Sequence, residues 1–207
     1  MSRTKIATSQ VQVLTGTYLG HVVSTQGVSP DTEKTSKIKS WPVPQSAQEV
    51  QQFLGLANYY RWFIKDFANM AKPLHWLTER GITFTWTPEC KNAFNFLKTW
   101  LTAAPTLALP NLSQPFILDT NASDTGISAV LFQLQEDGNE CVVVYTSRVL
   151  SKQERNYCIT QRELLAVVTF LQHFRQYLLG TPFMICTDHD ALTWLQNFKQ
   201  PEGQLAH

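Results

Sequence analysis

The pattern of apolar and polar positions changes rhythm about halfway along this chain. Near the start, the β-formers Val11, Val13, Leu14, Tyr18, Leu19, Val22 and Val23 are broken by Gly16, Gly20 and Gly27, which predicts a hairpin or meander over 11–28. Ser29 as cap and Pro30 at the first helical position predict a lysine-bearing helix over 31–40. The prolines of Trp41-Pro42-Val43-Pro44 stop it. Ser46 with Glu49 reads as a capping box for a second helix with Val50, Phe53 and Leu54 on its apolar face. Gly55 punctuates, and a third helix rich in aromatics is predicted over 58–70, closed by Pro73. Thr83–Trp86 is a short strand candidate. Thr87-Pro88-Glu89 then starts a helix with a stripe of Ala93, Phe94, Leu97, Trp100 and Leu101. The stretch 103–114, with Pro105 and Pro110, reads as a linker or an irregular strand.

After that the alternation shortens. Strands are predicted over 116–121, 126–134 and 141–146, separated by Asp124-Thr125-Gly126 and by Glu136-Asp137-Gly138-Asn139. A long helix over 156–179 follows, with Leu164, Val167, Val168, Leu171, Phe174 and Leu178 at helical spacing, ended by Gly180 and Pro182. A fourth strand over 183–187 and a short helix over 190–198 complete the order. There is no internal repeat and no low-complexity tract.

Composition changes this picture little. The chain has 207 residues, 43% hydrophobic and 16% charged, ordinary for one large or two small folded domains. No apolar run approaches the ~20 residues needed to span a bilayer, and the first residues lack the apolar core of a signal peptide. The four cysteines, Cys90, Cys141, Cys158 and Cys186, form no C-x-x-C pair and read as reduced, buried thiols of an intracellular protein, in cytoplasm or nucleus. Charge adds more. Residues 1–80 hold nine Lys/Arg against five Asp/Glu, and residues 81–207 hold eight against eleven. Two readings stand: two ordinary solvated surfaces, or a basic half that meets phosphates beside an acidic half that holds cations.

Three acids are candidates for chemistry. Asp119 lies near the end of the first long strand, Glu163 in the opening turns of the long helix, and Asp188 just past the fourth strand. Clustered carboxylates at such places bind Mg²⁺ or Mn²⁺ through oxygen, although surface acids with no such role look the same by spacing alone. His189 beside Asp188 has no Ser or Cys nucleophile with a recognisable elbow around it. The aromatics at 59–63, interleaved with Arg61 and followed by Lys65, suit either a helix core or base stacking beside a phosphate backbone.

Longer strings carry a resemblance. YLGHVVSTQGVSPDTEK at 18–34, WPVP at 41–44 and FLGLANYYRWFIKDFA at 53–68 resemble the reverse transcriptase of gypsy-type LTR retrotransposons. FTWTPECKNAFNFLK at 84–98 and APTLALPN at 104–111 are similar to the connecting stretch of the same Pol polyproteins. FILDTNASDTGISAVLFQ at 116–133, YTSRVLSKQERNY at 145–157, ELLAVV at 163–168 and TDHDALTWL at 187–195 resemble their RNase H domain. The resemblance implies an α/β (α+β) fold: the end of the palm with a primer-grip hairpin over 1–28, thumb-like helices over 29–80, a connecting segment over 81–114, and an RNase H-like domain with a mixed sheet over 115–207. The closing helix of that domain, its further carboxylate and the polymerase aspartates are expected to lie outside this chain.

By that resemblance the function is RNA-directed DNA synthesis and hydrolysis of RNA in RNA–DNA hybrids, with Mg²⁺ or Mn²⁺ in a two-metal site. Glu163 and Asp188 fall at family carboxylates, as catalytic and metal-ligating residues. Tyr18, Gly20, His21, Arg61 and Lys65 are the expected contacts to primer-template or hybrid, and association with the remaining Pol segments is implied. The family's first aspartate sits in a T-D-A-S string that reads Thr120-Asn121-Ala122-Ser123 here. Asp119 is two residues away on the same strand face, roughly 6–7 Å at ~3.3 Å per residue. An amide supplies one neutral oxygen where two cations need an anion, so the chain is expected to be inactive or impaired as a nuclease. The alternative is a non-catalytic nucleic-acid-binding remnant that uses the basic half.

Overall fold

The computed structural model describes residues 16–135 and 138–188. The expected helix over 190–198, His189 and the first residues of the meander lie outside them. Elements run in the order β1 (Gly16–Tyr18), β2 (His21–Ser24), β3 (Gly27–Pro30), α1 (Thr32–Lys39), α2 (Ala47–Tyr59), α3 (Phe67–Trp76), α4 (Pro88–Thr102), β4 (Phe116–Ala122), β5 (Gly126–Leu134), β6 (Glu140–Val149), α5 (Ile159–His173), α6 (Arg175–Leu178) and β7 (Phe183–Thr187). One small antiparallel sheet is β1-β2-β3. The larger sheet is mixed, in the order β6-β5-β4-β7, with β7 parallel to β4 and the other pairs antiparallel.

Two hydrophobic clusters organise these elements. The first joins α1 to α4 through Ile38, Phe53, Ala57, Phe63, Leu74, Phe94, Leu97 and Leu101, and ends at Leu107. The second joins one face of the large sheet (Phe116, Leu118, Ala129, Leu131) to α5 and α6 through Ala166, Phe170, Phe174 and Leu178. The first cluster also takes in Val142 and Tyr145 of β6, so the helical module covers the opposite sheet face. The molecule is therefore three layers: helices, sheet, helix.

Local chemistry explains most boundaries. Thr87 accepts from the Cys90 N–H and Pro88 opens α4, as expected. Ser46 accepts from the Glu49 N–H, but the Glu49 carboxylate reaches the Gln45 N–H rather than that of Ser46. Several expectations need correction. The helix at 31–40 is capped by Asp31, whose side chain accepts from Glu33, while Ser29 and Pro30 belong to β3. Gly55 does not end α2, because it sits exposed in mid-helix and buried Ala57 anchors the turn that follows. The predicted helix over 58–70 is a 3-10 turn at 61–63 followed by α3, divided where Asp66 takes a left-handed backbone (φ 54°). Pro73 lies inside α3. No strand forms over 83–86.

The long helix begins at Ile159 and breaks at Phe174. Its buried face is also rotated from the expected stripe. Glu163, Ala166 and Phe170 face the sheet, while Val168 is exposed. Ala166 is fully buried on that face, and Glu163, three residues before it, shares the face. Of the cysteines, all free, only Cys90 is buried and Cys158 is exposed.

Candidate functional site

The mixed sheet sorts the candidate residues by face. In β4 the side chains alternate: Phe116, Leu118 and Thr120 are buried toward α5, while Asp119 and Asn121 point to the other side. Parallel pairing sets Asp119 beside Cys186 and Thr120 beside Thr187, which brings Asp188 level with Asn121. The Asn121 amide donates to Asp188 Oδ2 at 3.5 Å. Both line a groove of about 300 Å³ whose floor also carries Asp119, Ser128 and Val130. Its wall comes from the helical module, through Lys65 and Asp66. Burial holds the Asp66 carboxyl above its usual range, against the opposing hydrogen bond from Asn69 and the charge of Lys65.

Glu163 reaches the same strand end by another route. It is 2% exposed and does not line the groove. Its Oε1 accepts from the Ala122 N–H at 3.1 Å, one residue beyond Asn121. The three positions expected from the resemblance are thus joined through β4: Glu163 to the Ala122 backbone, and Asn121 to Asp188.

The turn between β4 and β5 is held from both sides. Arg162 Nη1 donates to the Ser123 carbonyl (2.9 Å) and to Asp124, so the Asp124 carboxylate is engaged in an ion pair and does not line the groove. From the helical module, Asn69 donates to Asp66 (2.8 Å) and to Ser123 Oγ (3.4 Å), and accepts from the Thr125 hydroxyl (2.9 Å). A Cβ at position 126 would fall 2.4 Å from Asn69 Oδ1 and 3.1 Å from the Arg148 carbonyl, so a larger residue there would displace the Asn69 amide. The Ala68 N–H also donates to Ser147 Oγ of β6 (2.9 Å). Nothing in the sequence reading singled out Asn69 or Arg162. The one available signal was Gly126, whose missing side chain marks a close approach.

The groove's donors do not suit a pair of divalent cations. Asn121, expected from the resemblance at the first-aspartate position, is a neutral amide that donates to Asp188, and Glu163 gives its Oε1 to the Ala122 N–H and does not line the groove. Among the described residues no three His, Cys, Asp or Glu side chains are grouped to hold a metal ion.

The residues expected to meet nucleic acid are spread around the helical module. Leu19 (φ 48°) and Gly20 (φ 81°) make a left-handed two-residue turn joining β1 to β2. The turn is pinned by Tyr59 and Tyr60, whose hydroxyls donate to the Leu19 and Gly20 carbonyls. A side chain at Gly20 would press on Lys34 and Tyr60. Tyr18 is 71% exposed beside the turn. The His21 ring stacks on Tyr59 (5.1 Å, 12°) and on Phe63 (5.6 Å, 23°). Burial, then the charge of Lys34, lowers its pKa. Arg61 and Lys65 are exposed. Lys65 faces the groove, whereas Tyr18, His21 and Arg61 do not line it.

Residues 86–185 match the sequence family described as the RNase H-like domain found in reverse transcriptase. The chain carries an RNase H-like domain. Its sequence is similar to retrotransposon Pol polyproteins: 38% identical over 189 residues to that of transposon 412 of Drosophila melanogaster, and 40% over 189 residues to that of transposon 297. The Tf2-3 polyprotein of Schizosaccharomyces pombe is 35% identical over 190 residues. These alignments cover 90–91% of the chain but only 14–17% of the polyproteins. In fold, the RNase H-like domain and the helical module together resemble the foamy viral protease-reverse transcriptase. The structure of that protein in complex with dsDNA gives a TM-score of 0.74 at 24% identity, over 92% of this chain and 40% of that one. Its complex with RNA/DNA hybrid gives 0.73 at 24% identity, over 92% and 26%.

Proposed function

We propose that this chain is the thumb, connecting and RNase H-like portion of a gypsy-type Pol polyprotein, and that it grips RNA–DNA hybrid or primer-template without cleaving it. The observation that carries this reading is the contact between Asn121 and Asp188. The strand register sets these two positions side by side, and on this reading the amide replaces a bridging carboxylate. Hydrolysis of this type uses two cations about 3.5–4 Å apart, held by anionic oxygens. Asn121 brings no charge and donates a hydrogen bond to the remaining ligand. Lys65 on the groove wall and Arg61 on the same module supply cations for a phosphate backbone, a sequence-independent and salt-sensitive contact. The foamy viral neighbours, captured with dsDNA and with RNA/DNA hybrid, suit the same role. On this reading the chain works inside the cell, beside the other Pol segments, and Mg²⁺ or Mn²⁺ binds the groove only when its carboxylates are complete.

A labelled RNA–DNA hybrid incubated with the chain in Mg²⁺ and in Mn²⁺ tests the reading. The native chain is expected to retard the hybrid in a salt-dependent manner and to leave it intact, while Asn121→Asp gains measurable cleavage. Cleavage by the native chain would overturn the non-catalytic reading and mean that Asp119 or another acid completes the site. Binding that does not weaken with salt would remove the role given to Arg61 and Lys65.

A further inference from the structure

A mainly apolar cavity of about 280 Å³ opens at the junction of the two modules, apart from the groove. The 3-10 turn gives it Trp62 and Phe63, β6 gives Val143, the segment after α4 gives Leu109, and α6 gives Tyr177. Three polar edges complete the lining: the imidazoles of His21 and His173, and the Gln176 amide. Its size is at the small end of ligand pockets, about 300 Å³, enough for one or two rings.

Four features describe what fits. Trp62 is 53% exposed although it forms a cavity wall, so a broad aromatic face stands ready for cover. The His21 ring stacks on Tyr59 and on Phe63. Both histidines favour the neutral form: burial, then Lys34, lowers the pKa of His21, and burial, then Arg61, lowers that of His173. Arg61 is exposed and directly precedes Trp62 in the 3-10 turn. An aromatic wall, uncharged hydrogen-bonding edges and a cation on the residue next to that wall match a nucleobase and its phosphate. A purely apolar molecule would use neither the edges nor the cation.

We propose that this cavity receives one unpaired nucleobase of a bound strand, stacked on Trp62, with Arg61 on the adjoining phosphate. The inference rests on the nucleic-acid-binding reading above and adds a place where that strand is unpaired. Stacking against aromatic side chains is tolerant of sequence, so the site would respond to the state of a base rather than to its identity.

The full chain titrated at low salt with a short single-stranded DNA carrying one central 2-aminopurine, and with the same strand abasic at that position, tests this. The 2-aminopurine emission is expected to change saturably, and the abasic strand to bind about tenfold more weakly. A fully paired duplex containing the same base should give no such change. Trp62→Ala is expected to erase the difference between the two strands. Arg61→Ala should weaken both alike and reduce the salt slope by about one. Ala108→Trp fills the cavity from a loop and should also erase the difference, with circular dichroism checking its fold.

Equal affinity for the two strands in the native chain would overturn the proposal, as would a difference that survives both Trp62→Ala and Ala108→Trp. Saturable binding of the uncharged dye N-phenyl-1-naphthylamine, without any dependence on the base, would overturn it in favour of an apolar small molecule. Salt-dependent binding that ignores the base would sink this inference alone. No binding of either single strand while the paired duplex is bound would sink this inference alone, and no binding of strands or duplex would bring down the nucleic-acid reading as well.

Discussion

At the residue scale, the order of the groove depends on a side chain that carries no charge. Asn69 belongs to α3, yet both ends of its amide are engaged at the turn after Asn121, through Ser123 and Thr125, and at Asp66. It thereby fixes the groove wall to the groove floor. Replacement by Ala leaves the Thr125 hydroxyl and the partly buried Asp66 carboxyl without these bonds and opens a gap over Gly126. Asn69→Ala is expected to destabilise the chain by about 1–3 kcal/mol in urea denaturation. Amide exchange should rise at 123–126 more than in α4. Unchanged exchange at the turn would mean that Arg162 holds it unaided. Helical periodicity could not reveal this residue, because a polar side chain between Phe67 and Ala71 reads as solvent-facing until the sheet beside it is known.

At the scale of elements, legibility followed locality. The bounds of β5 and β7 fall where alternation and flanking turn residues put them, and the Thr87-Pro88 start of α4 was readable because a cap is decided by adjacent residues. The misreadings were decided by packing. Pro73 is tolerated inside α3 because Ala71, Leu74 and Leu77 are buried around it. Glu163 could be assigned to a helix but not to a sheet face, since that depends on how α5 rolls on Ala166. Of the candidate site, the register placed Asn121, Asp119 and Asp188 in one groove, whereas the contribution of Lys65 and Asp66 required the helical module to dock on the sheet. Gly55 gives an element-scale prediction. It is exposed in the middle of α2, and a Cβ there would meet nothing within 4 Å. Gly55→Ala should stabilise the chain by about 0.5–1 kcal/mol through helix propensity and a less flexible unfolded chain. That corresponds to a rise of roughly 2 °C in Tm for a chain of this size. A fall in Tm would mean that α2 needs a local bend at that position.

For the whole molecule, the boundary drawn by family likeness does not coincide with the boundary drawn by packing. The RNase H-like match begins at residue 86 and so includes α4. Yet Cys90, Ala93, Phe94, Leu97 and Leu101 of that helix are buried in the cluster built from α1, α2 and α3. Lys98 also donates to the Trp41 carbonyl at 2.8 Å. Residues 86–185 alone would expose Phe94, Leu97 and Leu101, each now at most 1% exposed. They would also uncover the sheet face that carries Val142 and Tyr145. At about 1.5–3 kcal/mol for each large apolar side chain, the three helix residues alone account for roughly 5–9 kcal/mol. That is comparable with the whole stability of a typical domain, about 5–15 kcal/mol. The fragment 86–185 is therefore expected to bind 8-anilinonaphthalene-1-sulfonate and to lose a cooperative urea transition, while 16–188 keeps one. A sharp transition for the fragment, with a slope in proportion to its size, would show that the sheet and α5 suffice by themselves. The helical module would then be a separable unit rather than the third layer of one fold.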